Sequence, residues 1–241
     1  MFGPMIRFEL KNIIREKMTI FMVFYPFILG AIGRLLIDYE VITGQEVEVT
    51  AILLTVITGF IFGAVGGFSL LDDRDDQVLT SIQISPVPVQ WYIWFKVGFT
   101  YVLAVLGGFF MIWIVRVIDL SVPQILLVAL LNALQVPFVM FIINAFSTNK
   151  IEGYVTMKGV GFLVIFPAIG FFYLDAIEWV FALAPAHWAA KALQYSILKP
   201  LIQANMVAMN LDFYGYLGLG MLYNLLLAGG AYAIFKKKNM L

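Results

Sequence analysis

The chain has 241 residues, 62% hydrophobic and 12% charged, with zero formal net charge and no cysteine. Soluble domains run at about 45–50% apolar and about 25% charged, so an ordinary water-soluble globular fold is excluded. The balanced charge lacks the basic patch of a nucleic-acid binder, and the missing cysteines exclude disulfides, thiolate metal sites and a cysteine nucleophile.

Met1-Phe2-Gly3-Pro4 leads into a charged segment rather than a short apolar core with a small-residue cleavage site, so no cleaved signal peptide is expected. Residues 4–17 interleave Ile6, Leu10, Ile13 and Ile14 with Arg7, Glu9, Lys11, Arg15 and Glu16. On a helix those four apolar residues share a face, which predicts an amphipathic helix lying on the membrane interface. About 20 apolar residues cross a bilayer as a helix. Six runs meet or approach that length: 18–37, 50–71, 91–115, 122–146, 159–174 and 213–235. They predict an all-α integral membrane protein, with one transmembrane domain over residues 1–241. The fifth run is short and holds Pro167, so a bent or interrupted span is expected there.

In the second run Gly59, Gly63 and Gly67 recur every four residues, a flat helix face that lets another backbone approach. Such a stripe suits packing inside one chain or an interface between two copies. The loop that follows, 72–88, opens with Asp72, Asp73, Arg74, Asp75 and Asp76. Each ionised side chain costs about 2.5 kcal/mol or more at the bilayer centre, so this loop belongs in water. Acids favour a helix N-terminus, and the residue before a proline leaves the helical region. A short rod is therefore expected, started by Asp73, Arg74 and Asp75, carrying Leu79 and Ile82, and stopped at Ser85-Pro86.

Arg34 and Lys96 lie near span ends and are expected to snorkel to the interface. The fourth run holds Asn132, Gln135, Pro137 and Asn144. Asn132 and Gln135, three apart, share a face; interhelical hydrogen bonding is the first expectation and substrate contact the second. Phe60 joins them as a possible pathway residue, and Phe62, Phe68, Phe162 and Phe166 would suit a hydrophobic or amphiphilic cargo. Between the fifth and sixth runs, 176–212 reads as short helices dipping into the outer face, with Trp179 and Trp188 at headgroup depth. A seventh span over 176–198 would bury Glu178, Pro185, His187 and Lys191 and export the Lys236-Lys237-Lys238 tail. His187 is the sole histidine, and the nearest carboxylate, Glu178, lies nine positions away. It is expected to be a loop histidine, with no metal site. Glu46, Glu48, Asp175 and Glu178 read as solvated acids, and no catalytic constellation is found.

Six spans place both termini on one side. With the termini cytoplasmic, Arg7, Lys11, Arg15, Lys17, Arg74, Lys96, Lys150, Lys158 and Lys236 to Lys238 fall inside, against Arg34, Arg116, Lys191 and Lys199 outside. Lys and Arg concentrate on the cytoplasmic side of membrane proteins. A multi-pass protein of the cell membrane is expected, with both termini and the 72–88 loop in the cytoplasm. No G-x-x-x-x-G-K-[ST] phosphate loop occurs, so the chain itself is not expected to bind ATP.

The amphipathic first helix, the charged loop closing on Ser-Pro and the long outer segment before the last span together resemble the ABC-2 family of ATP-binding-cassette exporter permeases. Asp73-Arg74-Asp75 is similar to that family's acidic-basic-acidic triplet, Val78-Leu79 to its Thr-Leu pair, and Ser85-Pro86-Val87 to its close. Gln77 stands where a Gly is usual, and Asp replaces Glu twice. Ala184-Pro185-Ala186-His187-Trp188 falls where the family has an Asn-Pro-centred outer element, here without the Asn.

The resemblance implies a permease subunit that forms half of a translocation pathway, with a second copy or a related permease supplying the other half. It implies a separate ATPase that binds ATP and Mg and docks on the 72–88 loop and the first helix. Drug, antimicrobial peptide or lipid-like cargo is expected. The alternatives are an ion-gradient-driven secondary transporter or channel, or an exporter of polysaccharide or ions. A secondary transporter would call for intramembrane acids or inverted repeats, neither of which is visible in these runs.

Overall fold

The computed structural model describes residues 2–84 and 87–239. Among them all regular structure is helical: α1 (Phe2–Arg15), α2 (Lys17–Asp38), α3 (Gln45–Asp75), α4 (Val78–Gln83), α5 (Val89–Val115), α6 (Val122–Ala133), α7 (Gln135–Phe146), α8 (Lys150–Gly161), α9 (Ile165–Gly170), α10 (Glu178–Phe181), α11 (His187–Gln203) and α12 (Phe213–Lys238). Six helical stretches among the described residues are long and apolar enough to cross a membrane: α2, α3, α5, α6 with α7, α8 with α9, and α12.

Side-chain contacts sort the helix ends into two sets. At the near end, α1 meets the close of α3 and the start of α5. The start of α8 meets the close of α3, and Asn239, after α12, meets the close of α7. At the far end lie the close of α2 beside that of α5, and the segment 171–212 against the start of α12. The described chain thus begins and ends at the same end of the bundle, as an even number of crossings requires.

The glycine stripe on α3 is an intrachain packing surface. A Cβ on Gly59 would stand 2.3 Å from the Asn132 carbonyl oxygen, and one on Gly63 2.8 Å from Val139 Cβ. One on Gly67 would come within 2.9 Å of Ile143 Cδ1. In hydrocarbon, helices are held by close packing and hydrogen bonds rather than by expulsion of water. All three glycines are buried. Of the two readings of the stripe, the contacts favour packing inside one chain: α6 and α7 of the same chain fill that face.

The fourth span is broken at Leu134, between α6 and α7. Pro137 has no N–H for the carbonyl four residues back, which interrupts the ladder there. Beside the break the Gln135 side chain donates from Nε2 to the Asn132 carbonyl at 3.1 Å.

The fifth span departs from the expected 159–174; it starts at Lys150 and closes at Gly170. Hydropathy misjudges its first turns, because they carry Lys150, Glu152 and Lys158. Their helix is started by Asn149, whose side chain accepts from the Glu152 N–H, and Lys150 is neutralised by Asp72 at 2.8 Å. A 3-10 turn at Phe162–Val164 separates α8 from α9, one turn ahead of Pro167.

The Asp-rich rod also differs from expectation. Asp73, Arg74 and Asp75 do not start it; they end α3. Tertiary partners hold two of the last α3 residues: Asp73 pairs with Lys96, and Arg74 donates to the carbonyls of Asn144 and Ser147 at 3.2 and 3.3 Å. The chain then turns at Asp76 and Gln77, and α4 begins at Val78. Gln77 adopts φ 55°, ψ 22°, a left-handed conformation costing most residues about 1–2 kcal/mol but glycine almost nothing. The expected stop, Ser85-Pro86, lies outside the described residues.

Candidate functional site

The near end holds a buried charge cluster that ties three helices together. Lys96, on α5, is 2% exposed and pairs with Asp73 of α3 and, at 3.4 Å, with Glu9 of α1. Its ammonium also donates to the Ser69 carbonyl at 3.0 Å and to Ser69 Oγ at 2.8 Å. Tyr92 donates to Asp73 at 2.8 Å and approaches Glu9 at 3.4 Å. Burial holds the Glu9 carboxyl above its ordinary range; Lys96 opposes the shift and Asp73 adds to it. The expectation that Lys96 snorkels is therefore corrected. Buried between two carboxylates and Ser69, it has every donor engaged inside the bundle.

A second, more open group lies beside it. Lys150, at the start of α8, bridges Glu16 and Asp72, joining the α1–α2 corner to the end of α3. Between the two groups is a polar cavity of about 390 Å³ lined by Asn12, Arg15, Thr19, Ser69, Asp76 and Val78, among others. The start of α4 therefore borders a cavity whose walls come from α1, α2, α3 and α8.

Of the expected coupling residues, Asp73 and Arg74 are structural anchors of α3, whereas Asp75 is exposed. Leu79 packs against the core group of Leu70, Ile93, Val97, Phe141 and Phe235. Ile82 is half-buried. The short helix α4 thus sits directly between the two spans it joins, with one side chain seated in their shared core.

In mid-bundle Asn132 donates to the Thr55 carbonyl at 3.0 Å and to Thr58 Oγ1 at 2.9 Å, and Gln135 donates to the Val56 carbonyl at 3.2 Å. Both are 1% exposed, which favours interhelical bonding over cargo contact. Asn144 repeats the pattern one level nearer, donating to the Gly67 carbonyl at 2.9 Å. Phe60 and Gln135 share a narrow cleft with Phe138, Val160 and Leu163. Phe62 and Phe68 are buried in the core, while Phe162 is exposed.

At the far end the segment 171–212 folds into the short α10, as expected, and into α11, which at 17 residues is longer than expected; the segment also buries more charge than a solvated surface would. Glu178 and Lys191 pair at 3.0 Å with neither exposed beyond 2%. Tyr216 of α12 donates to Glu178 at 2.8 Å, and Lys191 donates to the Tyr173 carbonyl at 2.6 Å. Glu178 is thus no solvated acid. Burial lowers the Lys191 ammonium from its ordinary value, against the pull of Glu178. His187 is not a loop residue; it opens α11 and is 1% exposed. Burial, and then the Lys191 charge, push it down to about 3.

This shift carries a pH prediction. A histidine held neutral in the fold but free to charge when unfolded, near its ordinary 6.5, gives stability that is complete above about pH 6.5 and is lost below it. The slope reaches at most about 1.4 kcal/mol per pH unit. The thermal midpoint of the purified protein should fall between pH 7 and pH 5, and His187→Gln should flatten most of that fall. An equal fall in wild type and variant would contradict the burial.

Glu9, Ser69, Tyr92 and Lys150 were not singled out by sequence reasoning. One signal was available: Lys96 stands inside an apolar run, where a charge calls for a partner.

Six hydrophobic crossings around an interior of buried polar residues define a multi-pass α-helical membrane protein. The model of a family described as "Fluoroquinolones export permease protein Rv2686c-like" matches residues 9–232, and the chain belongs to that Rv2686c-like family. The fluoroquinolones export permease protein Rv2686c of Mycobacterium tuberculosis (strain ATCC 25618 / H37Rv) is 26% identical over 149 residues, covering 58% of this chain and 56% of the relative. The corresponding protein MT2760 of strain CDC 1551 / Oshkosh matches equally. The chain therefore spans little more than half the length of these curated relatives. No solved structure matches.

Proposed function

We propose that this chain is the permease subunit of an ATP-binding-cassette exporter of the ABC-2 type, a single transmembrane domain over residues 1–241 that forms half of a translocation pathway. A second copy or a related permease completes the pathway. A separate ATPase, binding ATP and Mg²⁺, docks at the near end on α4 and α1, and that end faces the cytoplasm of the cell membrane. The excess of Lys and Arg there supports the orientation.

The observation that carries the proposal is the seat of α4. It hangs between the end of α3 and the start of α5, with Leu79 set into the core that both spans share. A push on α4 reaches two spans directly, and the Lys96 cluster extends it to α1. Hydrophobic or amphiphilic cargo follows from the apolar interior, and fluoroquinolones, named in the relatives, are the first compounds to try.

The test is purification of the full chain from its native membrane and identification of any phosphate-loop ATPase that accompanies it. A stable complex that hydrolyses Mg-ATP is expected. A chain that purifies without any ATPase, while still transporting, would remove the proposal.

A further inference from the structure

One cation lies deep in a span without a counter-charge. Lys158 sits on α8, eight residues past Lys150 and so about 12 Å further along the helix axis, at about 1.5 Å per residue. A Cβ on Gly153 would meet Leu71 and Phe68, and one on Gly161 would meet Phe60, which sets Lys158 at the depth of residues 60–68 of α3. Its side chain is exposed, with exposed Ile151, Val155 and Phe162 on the same face at helical spacing. Next to it, a Cβ on Gly159 would meet nothing within 4 Å. Among the described residues Lys158 takes part in no ion pair, unlike Lys96 and Lys150. Charged groups inside a span face a protein interior or a water-filled cavity and pair with a counter-charge. Snorkelling does not relieve this one, because a four-carbon stem covers only about half the distance back to the level of Lys150.

The chain has no carboxylate to offer it. All 15 acids lie in α1, in the first or last turn of a span, or in the segments between spans. A second copy of the chain, set the same way in the same membrane, brings none to that depth either. We infer that Lys158 lines the translocation pathway and binds the anionic end, a carboxylate foremost, of an amphiphilic cargo. The inference rests on reading the chain as half of an export pathway, and it adds the face of that half and the charge of what passes. The neighbours suit such a cargo. Val155 and Phe162, one turn to either side, offer apolar and aromatic surface for its body, and Phe162 is braced edge-on by Phe166 at 5.7 Å. An ammonium on a flexible stem is a mobile point charge, which holds an anion without the rigid fork of a guanidinium and so can release it.

The chain lacks cysteine, so a single Val155→Cys reports on this face. In native membranes its thiol should react with water-soluble thiosulfonates. An anionic reagent should react faster than a cationic one of like size by about fivefold, the scale of one cation's field at close range in water. Adding Lys158→Gln should erase that preference, and Lys158→Arg should keep it. A thiol that does not react, equal rates for the two reagents, or a preference that survives Lys158→Gln would overturn the inference; in the first case lipid or protein covers the face. The second arm is transport. Lys158→Gln should raise KM for a fluoroquinolone, whose carboxylate is free, by roughly tenfold, the scale of a charge-assisted hydrogen bond, and leave that for its methyl ester unchanged. Equal changes for acid and ester would also overturn it. A wild type that moves neither compound would contradict the exporter reading instead, and the labelling, which needs neither ATP nor a known cargo, would still decide this one.

Discussion

Replacing Lys96 by methionine should remove a large part of the stability of the fold. Among the described residues the lysine is the sole cation in contact with two buried carboxylates, Glu9 and Asp73, each 3% exposed. Without it two negative charges remain in a space with no cation and only Tyr92 as a donor. Breaking a buried pair by deleting one partner costs about 3–5 kcal/mol, against a typical total of about 5–15 kcal/mol. The thermal midpoint of Lys96→Met in detergent should fall steeply. Glu9→Gln should cost little, because its carboxyl is the one that burial already disfavours in charged form, and the Asp73–Lys96 pair survives. Combining Lys96→Met with Glu9→Gln and Asp73→Asn should recover most of the loss. An unchanged midpoint in Lys96→Met would mean that water solvates the cluster.

The second large effect is expected at Ser81. Had the rod run from Asp73, a proline at Leu79 would have broken its middle. With α4 starting at Val78, Leu79 occupies the first turn, where proline is tolerated. Ser81 is the better target. Its N–H donates to the Gln77 carbonyl at 3.0 Å, and its side chain is exposed. Ser81→Pro removes that bond and crowds the Gln77 carbonyl, at about 3 kcal/mol, without disturbing the packed Leu79. If α4 relays motion from an ATPase, hydrolysis by the partner should persist in this variant. Transport per ATP hydrolysed should fall by tenfold or more, roughly the factor that 1.4 kcal/mol or more represents. Transport at the wild-type ratio, with the variant correctly inserted, would show that α4 transmits nothing.

The six crossings were legible in the sequence because hydrocarbon tolerates no charge without compensation, and that constraint acts on consecutive residues. The same constraint misled at both ends of the fifth span. Lys150 is tolerated in a span because Asp72 and Glu16 neutralise it, and those partners lie far away in the chain. Lys96 was visible as a charge inside an apolar run, yet its partners come from α1 and α3, and no local pattern announces them. The glycine stripe was legible as a close-approach face, though not the helix that fills it; Val139 and Ile143 carry no mark that distinguishes them from lipid-facing residues. The Asp-rich loop failed differently. Acids favour a helix start, but Asp73 and Arg74 obey tertiary partners instead, and the left-handed Gln77 sets the true start one residue later. His187 reads as a loop residue and Glu178 as a solvated acid because their burial is made by α10, α11 and α12 packing together.

The proposal of an ATP-driven exporter meets its most direct test in inside-out vesicles carrying this chain and its partner ATPase, with a fluorescent fluoroquinolone outside. Accumulation that requires both chains and Mg-ATP, and that stops when the partner's phosphate-loop lysine is replaced, is the expected result. Accumulation that proceeds without the ATPase and collapses when the ion gradient is dissipated would contradict it, and would make the chain a secondary transporter.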